Sequence, residues 1–589
     1  MTAPAASDDP RTRLRRAWRR ISHAVRPLVT VVDPPAGIVV DRDVEVAVRD
    51  GTVLRVDVFR PAVDPSAAGG TGIRDADGHR WPVLLCAHPY AKATTPKRRR
   101  GGGWSIPFPF RALTQSEPFT ISAWTSWEAP DPGFWVPRGY VVVNLDLRGW
   151  GTSDGVGELL SAQEGRDIAD VIEWAGAQPW STGRVGMTGV SYLAITQWAA
   201  ASERPAHLVA INPWEGFTDL YRDLGRPGGI REDGFLRLWT TMARRERRSP
   251  VELRDEVAAR PLEDDWWRAR NRAIEQIEVP ALVCASFSDH CLHSRGSFDG
   301  HRRIASARRY LFAHRGPKWA TYYARAGREA QVEFFDHLLL DRATGLDDRP
   351  PVRVEIRSDG STVAGVRRTT AWPPPDVSWT TLHLDSPTPG SSDDRGAGVL
   401  GADVPGRAGA SSFRGRDAAR FVHRFTETTD VVGPMWAALH VEVLDGPDAH
   451  VFVGVDLVRD GRRVGFEGSY GFGDDLVTHG MLRVALRRTV DPDGRVAEPP
   501  PWIPDHPYDR YDAVTPGSIV PLAVELHASA TRFSPGDELH LLVQGRWFFA
   551  TNPLTGQFPA RYVDTPDATV RLHTGPDHDS TLHLPIWPS

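Results

Sequence analysis

Ser191 stands in the segment MTGVSYLA, two positions after Gly189, where an apolar run ends in a sharp turn and a helix begins. A serine on such a strand-to-helix turn is lifted off the sheet, and its neighbours must be small because strand and helix approach closely there. The chemistry this suggests is nucleophilic attack, against the plainer alternative of a buried serine at an ordinary junction. A serine hydroxyl is a weak nucleophile, so it needs a base to take its proton and a carboxylate to orient that base. Where the nucleophile stands on a strand-to-helix elbow of this kind, the acid and then the base follow it in the chain. The run ALVCASFS leads into Asp289 and the run RYLFA leads into His314, which makes these the candidate acid and base. His290, His293 and His301 lie between them and read as loop or surface residues. Charge developing on a carbonyl oxygen needs waiting donors. The backbone N–H of Tyr192 and the hydroxyl of Tyr90, in LLCAHPYAK, are the candidates for that oxyanion hole.

The elements that must carry these residues are legible from pattern. VEVAVRDGTVLRVDVFRP reads as a hairpin turning at Asp50-Gly51, and WPVLLCAH and YVVVNLDLRG as strands buried on both faces. Ile168, Val171, Ile172 and Ala175 recur at helical spacing before the strand GRVGMTGVS. Strands alternating with helices predict a mostly parallel α/β sheet. An Arg- and Trp-rich helical stretch interrupts it at 214–274 and reads as an inserted cap. Past residue 346 the helical period fades and short strands such as VRVEIRSDG, HVFVGVDLVRD and ELHLLVQG are separated by Gly, Pro and Asp turns, the pattern of a β-sandwich or jelly roll. The divisions that follow are a basic N-terminal tail at 1–36, core segments at 37–213 and 275–345 around the cap, and a β-rich unit at 346–589.

Composition narrows the function. Among 589 residues the net charge is −5, which supplies no general field for nucleic acid or anionic lipid, so a small and mostly uncharged ligand is expected. No apolar run is long enough to span a bilayer and the Arg-rich start is not followed by an apolar stretch and cleavage site, so a soluble, cytoplasmic protein is expected. The three cysteines, Cys86, Cys284 and Cys291, are scattered without a CxxC pair, so neither a disulfide framework nor a zinc site is expected. No metal or organic cofactor is called for, and oligomeric state is not readable.

Other residues admit two readings. Trp150, Trp214 and Trp266, with Glu215, are candidates to line an acyl pocket, although cap tryptophans commonly pack the cap itself. Glu215, Asp219 and Asp223 recur every four residues, either as a solvated face or as a receptor for a substrate's α-amino group. Asp146 and Arg148 in LDLRGWGTSDG read as a structural turn bracing the elbow, and Lys97 to Arg100 as a solvated basic loop.

The pieces CAHPYAK, VVNLDLRGWGTSDG, GVSYLA, DLYRDLGRPGGI and ASFSDHCLHSRGSF, in this order, resemble the CocE/NonD hydrolases, which are related to X-Pro dipeptidyl-peptidases. The resemblance runs from about residue 40 to the end. It implies an α/β-hydrolase core, an inserted helical cap, a C-terminal jelly roll and a Ser-Asp-His triad, with an active-site tyrosine completing the oxyanion hole. Carried over, these roles fall on Ser191, Asp289, His314, Tyr90 and the Tyr192 amide. Three positions depart from the family pattern: Ala194 stands where the elbow usually has glycine, His314 precedes rather than follows its Gly-Pro segment, and Asp289 is followed by His290-Cys291 where glycine is often found. The expected activity is hydrolysis of an ester or amide of a small acyl substrate through an acyl-enzyme. X-Pro dipeptidyl-peptidase or acylase activity and a non-catalytic binding protein are the alternatives.

Overall fold

The computed structural model describes residues 10–62, 79–112, 117–243, 252–289, 292–387, 396–468, 475–490, 504–549 and 560–588. Part of the expected tail is ordered: helix α1 spans Pro10–Val25, and the strand Val29–Val32 behind it pairs in parallel with Phe119–Ser122. The central sheet then takes up β1 (Ile38–Ala47), β2 (Val53–Pro61), β3 (Trp81–His88), β4 (Val141–Asp146) and β5 (Ser181–Val190). It continues with β6 (Leu208–Trp214), β7 (Ala281–Ser286), β8 (Arg309–His314), β9 (Val352–Arg357) and β10 (Val363–Thr369). Spatial order is β1-β2-β4-β3-β5-β6-β7-β8-β9-β10, parallel from β4 to β9 and antiparallel at both margins.

Every residue of β3, β4 and β7 is buried, because helices cover both faces of the sheet. The short helix α2 (Phe108–Ala112) packs on α1, while α3 (Ala162–Gly176) and α4 (Tyr192–Ser202) pack on each other and on β5. Ser161 caps α3 by accepting from the Glu164 N–H, which satisfies a donor the helix cannot. The expected cap region is built of short pieces, chiefly α5 (Phe235–Ala243) and α6 (Leu253–Ala259). After β7 come α7 (Ser294–Arg303), α8 (Lys318–Tyr323) and α9 (Arg325–Leu339). The sheet does not stop at the expected boundary of 346, since β9 pairs with β8 and β10 turns back on β9. Beyond β10 the pairing is mostly antiparallel, with Thr429–Val443 against Ile519–Phe533 as its longest ladder. Among the described residues no helix is long and apolar enough to cross a membrane.

The turn after β4 is held by a buried ammonium. Lys92 Nζ lies 2.6 Å from Asp43, 3.1 Å from Asp146 and 2.8 Å from the Thr152 hydroxyl, with Asp57 at 3.6 Å. Arg148 does not pair with Asp146 but reaches Asp167 on α3 through two hydrogen bonds of 2.6 and 2.7 Å. Removing one partner of such a cluster strands the others without water. Lys92→Met, which leaves Asp146 buried without its cation while Asp57 keeps Arg42, is therefore expected to lower unfolding free energy by about 3 kcal/mol. Urea unfolding checks this, and an unchanged midpoint would show the cluster to be dispensable.

Candidate active site

Ser191 sits between β5 and α4 with φ 62° and ψ −117°, a conformation that L-residues adopt only under constraint. Its N–H donates to the Trp214 carbonyl of β6 at 3.0 Å, and the preceding Val190 N–H donates to the Glu128 carbonyl at 3.0 Å. Gly189 has φ 154°, and a Cβ there would stand 2.6 Å from Leu193 Cβ, which is why the turn carries glycine two residues ahead of the serine. The extra methyl of Ala194 is accommodated across the junction by Gly216, where an added Cβ would lie 2.7 Å from Ala194 Cβ.

The histidine against the serine is His293. Its Nε2 is 3.0 Å from Ser191 Oγ. His293 sits just before α7, its N–H donating to the Asp289 carbonyl at 3.0 Å and its ring stacked on Phe217 at 5.7 Å. His314, expected as the base, is engaged at both nitrogens: Nδ1 accepts from the Gly316 N–H at 3.1 Å and Nε2 lies 3.2 Å from Glu215 Oε1. A ring whose Nδ1 accepts carries its proton on Nε2, so His314 has no lone pair to offer a hydroxyl. The Asp289 carboxylate faces the ammonium of Lys318, not an imidazole. Lys318 also stands 3.9 Å from Glu215 Oε2, and Lys318, Asp289, Glu215 and His314 are all buried. Pattern reading passed over His293 because His290 stands beside it in the same loop; the signal was its place four residues past Asp289 at the start of a helix. His290 lies outside the described residues, and His301 is buried on α7.

Glu128 completes the surroundings of Ser191. It is buried, has φ 66°, accepts from Trp319 Nε1 at 3.1 Å and lies in hydrogen-bonding contact with Ser191. Burial pushes its carboxyl up to about 8 despite the opposing Lys318 charge and the Trp319 and Ser191 hydrogen bonds. The His293 imidazole is held well below its usual range by burial and by Lys318. Burial and Glu128 push the Tyr90 phenol up while Trp239 donates to it, so its own proton is free to be donated onward. The Tyr192 amide is the first N–H of α4, and the Tyr192 side chain points elsewhere, its hydroxyl 2.7 Å from Glu164.

The other candidates divide differently from expectation. Trp150 and Trp214 are 1% and 0% exposed, so both are core residues and cannot line an open pocket. Trp214 packs on Phe312, His314 and Tyr322. Trp266 lies on the cap with the Arg270 guanidinium 3.7 Å from its ring centre. Glu215, Asp219 and Asp223 form no solvated face. Glu215 lies 3.2 Å from His314, Asp219 meets Arg222 at 3.0 Å and Asp223 meets Arg295 at 3.0 Å, so the last two are already paired with guanidinium groups. Ligand atoms of Glu215, Cys284 and His314 lie within 4.8 Å of one another. The Lys318 ammonium already supplies a cation there, and burial together with Glu215 pushes the Cys284 thiol up, away from the thiolate a metal would need.

Residues 50–258 match the X-Pro dipeptidyl-peptidase (S15 family), and residues 344–583 match the X-Pro dipeptidyl-peptidase C-terminal non-catalytic domain. The chain is 25% identical over 644 residues to a cocaine esterase of Rhodococcus sp. (strain MB1 Bresler), covering 92% of this chain and 98% of that protein. A crystal structure of a CocE/NonD family hydrolase from Staphylococcus aureus superposes with a TM-score of 0.83 at 32% identity, covering 94% of each chain. An α-amino acid ester hydrolase shares the fold at a TM-score of 0.66 and 16% identity, over 94% of this chain and 97% of that one.

The elbow geometry makes a direct test. Gly189→Ala forces a methyl into Leu193 and an L-residue into a positive φ, displacing Ser191 from its partners. Displacements of this size cost about 100-fold in rate, so hydrolysis of a chromogenic ester is expected to fall by about that factor. An active variant with wild-type rates would show that the turn tolerates the methyl.

Proposed function

The chain belongs to the CocE/NonD hydrolase family, and from that premise we propose that it is a serine hydrolase cleaving an ester or amide of a small acyl substrate, with Ser191 as nucleophile and His293 as general base. The observation that carries this reading is the 3.0 Å contact between Ser191 Oγ and His293 Nε2, beneath a constrained strand-to-helix turn. The scaffold that suits it is an α/β-hydrolase core with a helical cap and a C-terminal jelly roll.

Ser191 Oγ attacks the carbonyl carbon as its proton passes to His293 Nε2, and the electron pair of the C=O bond moves onto oxygen. The Tyr192 N–H and the Tyr90 hydroxyl hold that oxyanion. Collapse breaks the bond to the leaving alcohol or amine, which takes the proton from His293. Water then repeats the sequence on the acyl-enzyme and frees Ser191. The Asp289 carboxylate does not orient the base; it neutralises Lys318, whose charge would otherwise oppose the imidazolium. The dipeptidyl-peptidase alternative loses two of the three carboxylates that would have received an amine, because Asp219 and Asp223 are already paired with Arg222 and Arg295.

Ser191→Ala and His293→Ala are each expected to lower ester turnover by a factor of about 1,000 or more. His314→Gln is expected to keep fluorophosphonate labelling of Ser191, whereas His293→Ala loses it. Labelling that survives in His293→Ala and disappears in His314→Gln would return the base to His314, and no labelling of folded wild-type protein would favour the non-catalytic alternative.

Glu128 gives a pH prediction. Below about 8 its carboxyl is neutral and can donate to Ser191 Oγ; above that it becomes an anion beside a forming oxyanion. A carboxyl raised in the fold binds its proton where the unfolded chain has lost it, so stability also falls as pH rises from its ordinary value of 4.5 toward about 8. The kcat/KM profile is expected to descend with a midpoint near 8, and Glu128→Gln to remove that descent. A descending limb that persists unchanged in the variant would assign it to another group.

A further inference from the structure

A surface helix normally turns its apolar stripe toward the core. Helix α1 does the reverse. Leu14, Trp18, Ile21 and Val25 recur at steps of four, three and four, which sets them on one face, and they are 63%, 71%, 49% and 68% exposed. The helix is fixed to the body through its arginines: Arg20 is only 7% exposed, and Arg19 pairs with Glu467 at 2.9 Å. Its sequence, PRTRLRRAWRRISHAV, contains six arginines and no acid.

The neighbouring surface continues both properties. Helix α2 packs against α1 and presents Phe108, 69% exposed. The hairpin just before it, Lys97–Arg98 against Trp104–Ser105, exposes Lys97, Arg99 and Arg100, and Arg98 pairs with Asp33 at the end of the strand that follows α1. An outward apolar stripe on a helix that carries no acid, beside the exposed Lys97, Arg99 and Arg100, fits an anionic bilayer interface, where the stripe enters the headgroup boundary and these basic side chains meet lipid phosphates. A second copy presenting the same face would bring like charges together. The chain's overall charge of −5 makes this a local attraction, not one shared by the whole surface.

We propose that α1, with Phe108 and the 97–100 hairpin, is a docking surface that lays the protein on anionic membranes without crossing them. This departs from the expectation of no membrane partner.

The test is cosedimentation of the full chain with sucrose-loaded vesicles of phosphatidylcholine alone or mixed with phosphatidylglycerol. Binding to the anionic vesicles is expected to exceed binding to neutral ones about tenfold, to fall as salt is raised, and to be lost in Trp18→Glu/Ile21→Glu. Ester turnover in solution, unchanged in that double variant, shows that the fold is intact. Equal or absent binding to the two vesicle types, or retention by the double variant, would overturn the proposal. So would a dimer in gel filtration that dissociates in the double variant while vesicle binding is absent, because α1 would then be a contact between copies.

Discussion

The buried ammonium of Lys318 governs the arrangement around Ser191. A fully buried lysine keeps its charge only where carboxylates compensate for lost water; burial alone would lower its pKa, but Asp289 and Glu215 raise it overall. That requirement ties up the acid which the chain order would otherwise assign to a catalytic imidazole. While Asp289 faces Lys318 and Glu215 lies beside His314, the imidazole that stands against Ser191 Oγ comes from the loop ahead of α7 and is that of His293. Its orientation rests on a backbone hydrogen bond to Asp289 and on stacking against Phe217, not on a carboxylate at Nδ1. Asp289 thus reaches the imidazole by two routes, its carbonyl fixing the start of α7 and its carboxylate quenching the nearest positive charge.

Backbone strain is gathered at the same place. Ser191, Glu128 and Glu215 have φ of 62°, 66° and 52°, and none is glycine. Each such residue costs about 1 to 3 kcal/mol and persists only where its surroundings over-determine it. Here the surroundings are hydrogen bonds that cross between elements: Val190 to Glu128, Ser191 to Trp214, and Glu215 to Cys284 at 3.0 Å. The three strained residues therefore brace one another across β5, β6 and the segment before β4, and the position of the serine hydroxyl is a property of the sheet as a whole.

The sheet was readable because its signals are local. Runs such as WPVLLCAH and ALVCASFS need burial on both faces, and Gly189 ahead of Ser191 marks a turn whose packing leaves no room for a side chain. The site was readable only where a residue's role follows from its own element. Ser191 and the Tyr192 amide belong to one turn; the base does not. His314 ends a late strand as a catalytic histidine would, yet its fate is decided by the Gly316 amide and Glu215, neither of which advertises itself in sequence. Glu128 was invisible for the same reason, since it comes from a long irregular segment and owes its place to Trp319 and the β5 turn. The acidic stripe misled because four-residue spacing indicates a shared helical face only if a regular helix forms. Residues Leu220–Gly225 instead form a short π-helical turn, wider than a regular helix, in which Asp219 accepts from the Arg222 N–H and Asp223 accepts from the Asp219 N–H while pairing with Arg295.

The strand that carries His314 also explains why the β-rich C-terminal unit belongs to the site. The next residue, Arg315, is fully enclosed, with Nη1 donating to the Val477 carbonyl at 2.9 Å, another hydrogen bond to the Leu476 carbonyl, and its guanidinium 4.3 Å from the Phe466 ring centre. A guanidinium cannot shed its charge, so those carbonyls are needed to replace its water. On the other side of the site Arg295 of α7 spans Asp223 in the cap and Glu525 in the C-terminal unit. The strand end holding His314 and the loop holding His293 are therefore each tied to the β-rich unit by an arginine, Arg315 fully buried and Arg295 partly so. Separating that unit would strip Arg315 of the carbonyls that replace its water and free Arg295 from Glu525, so the segments on both sides of Ser191 owe part of their rigidity to it.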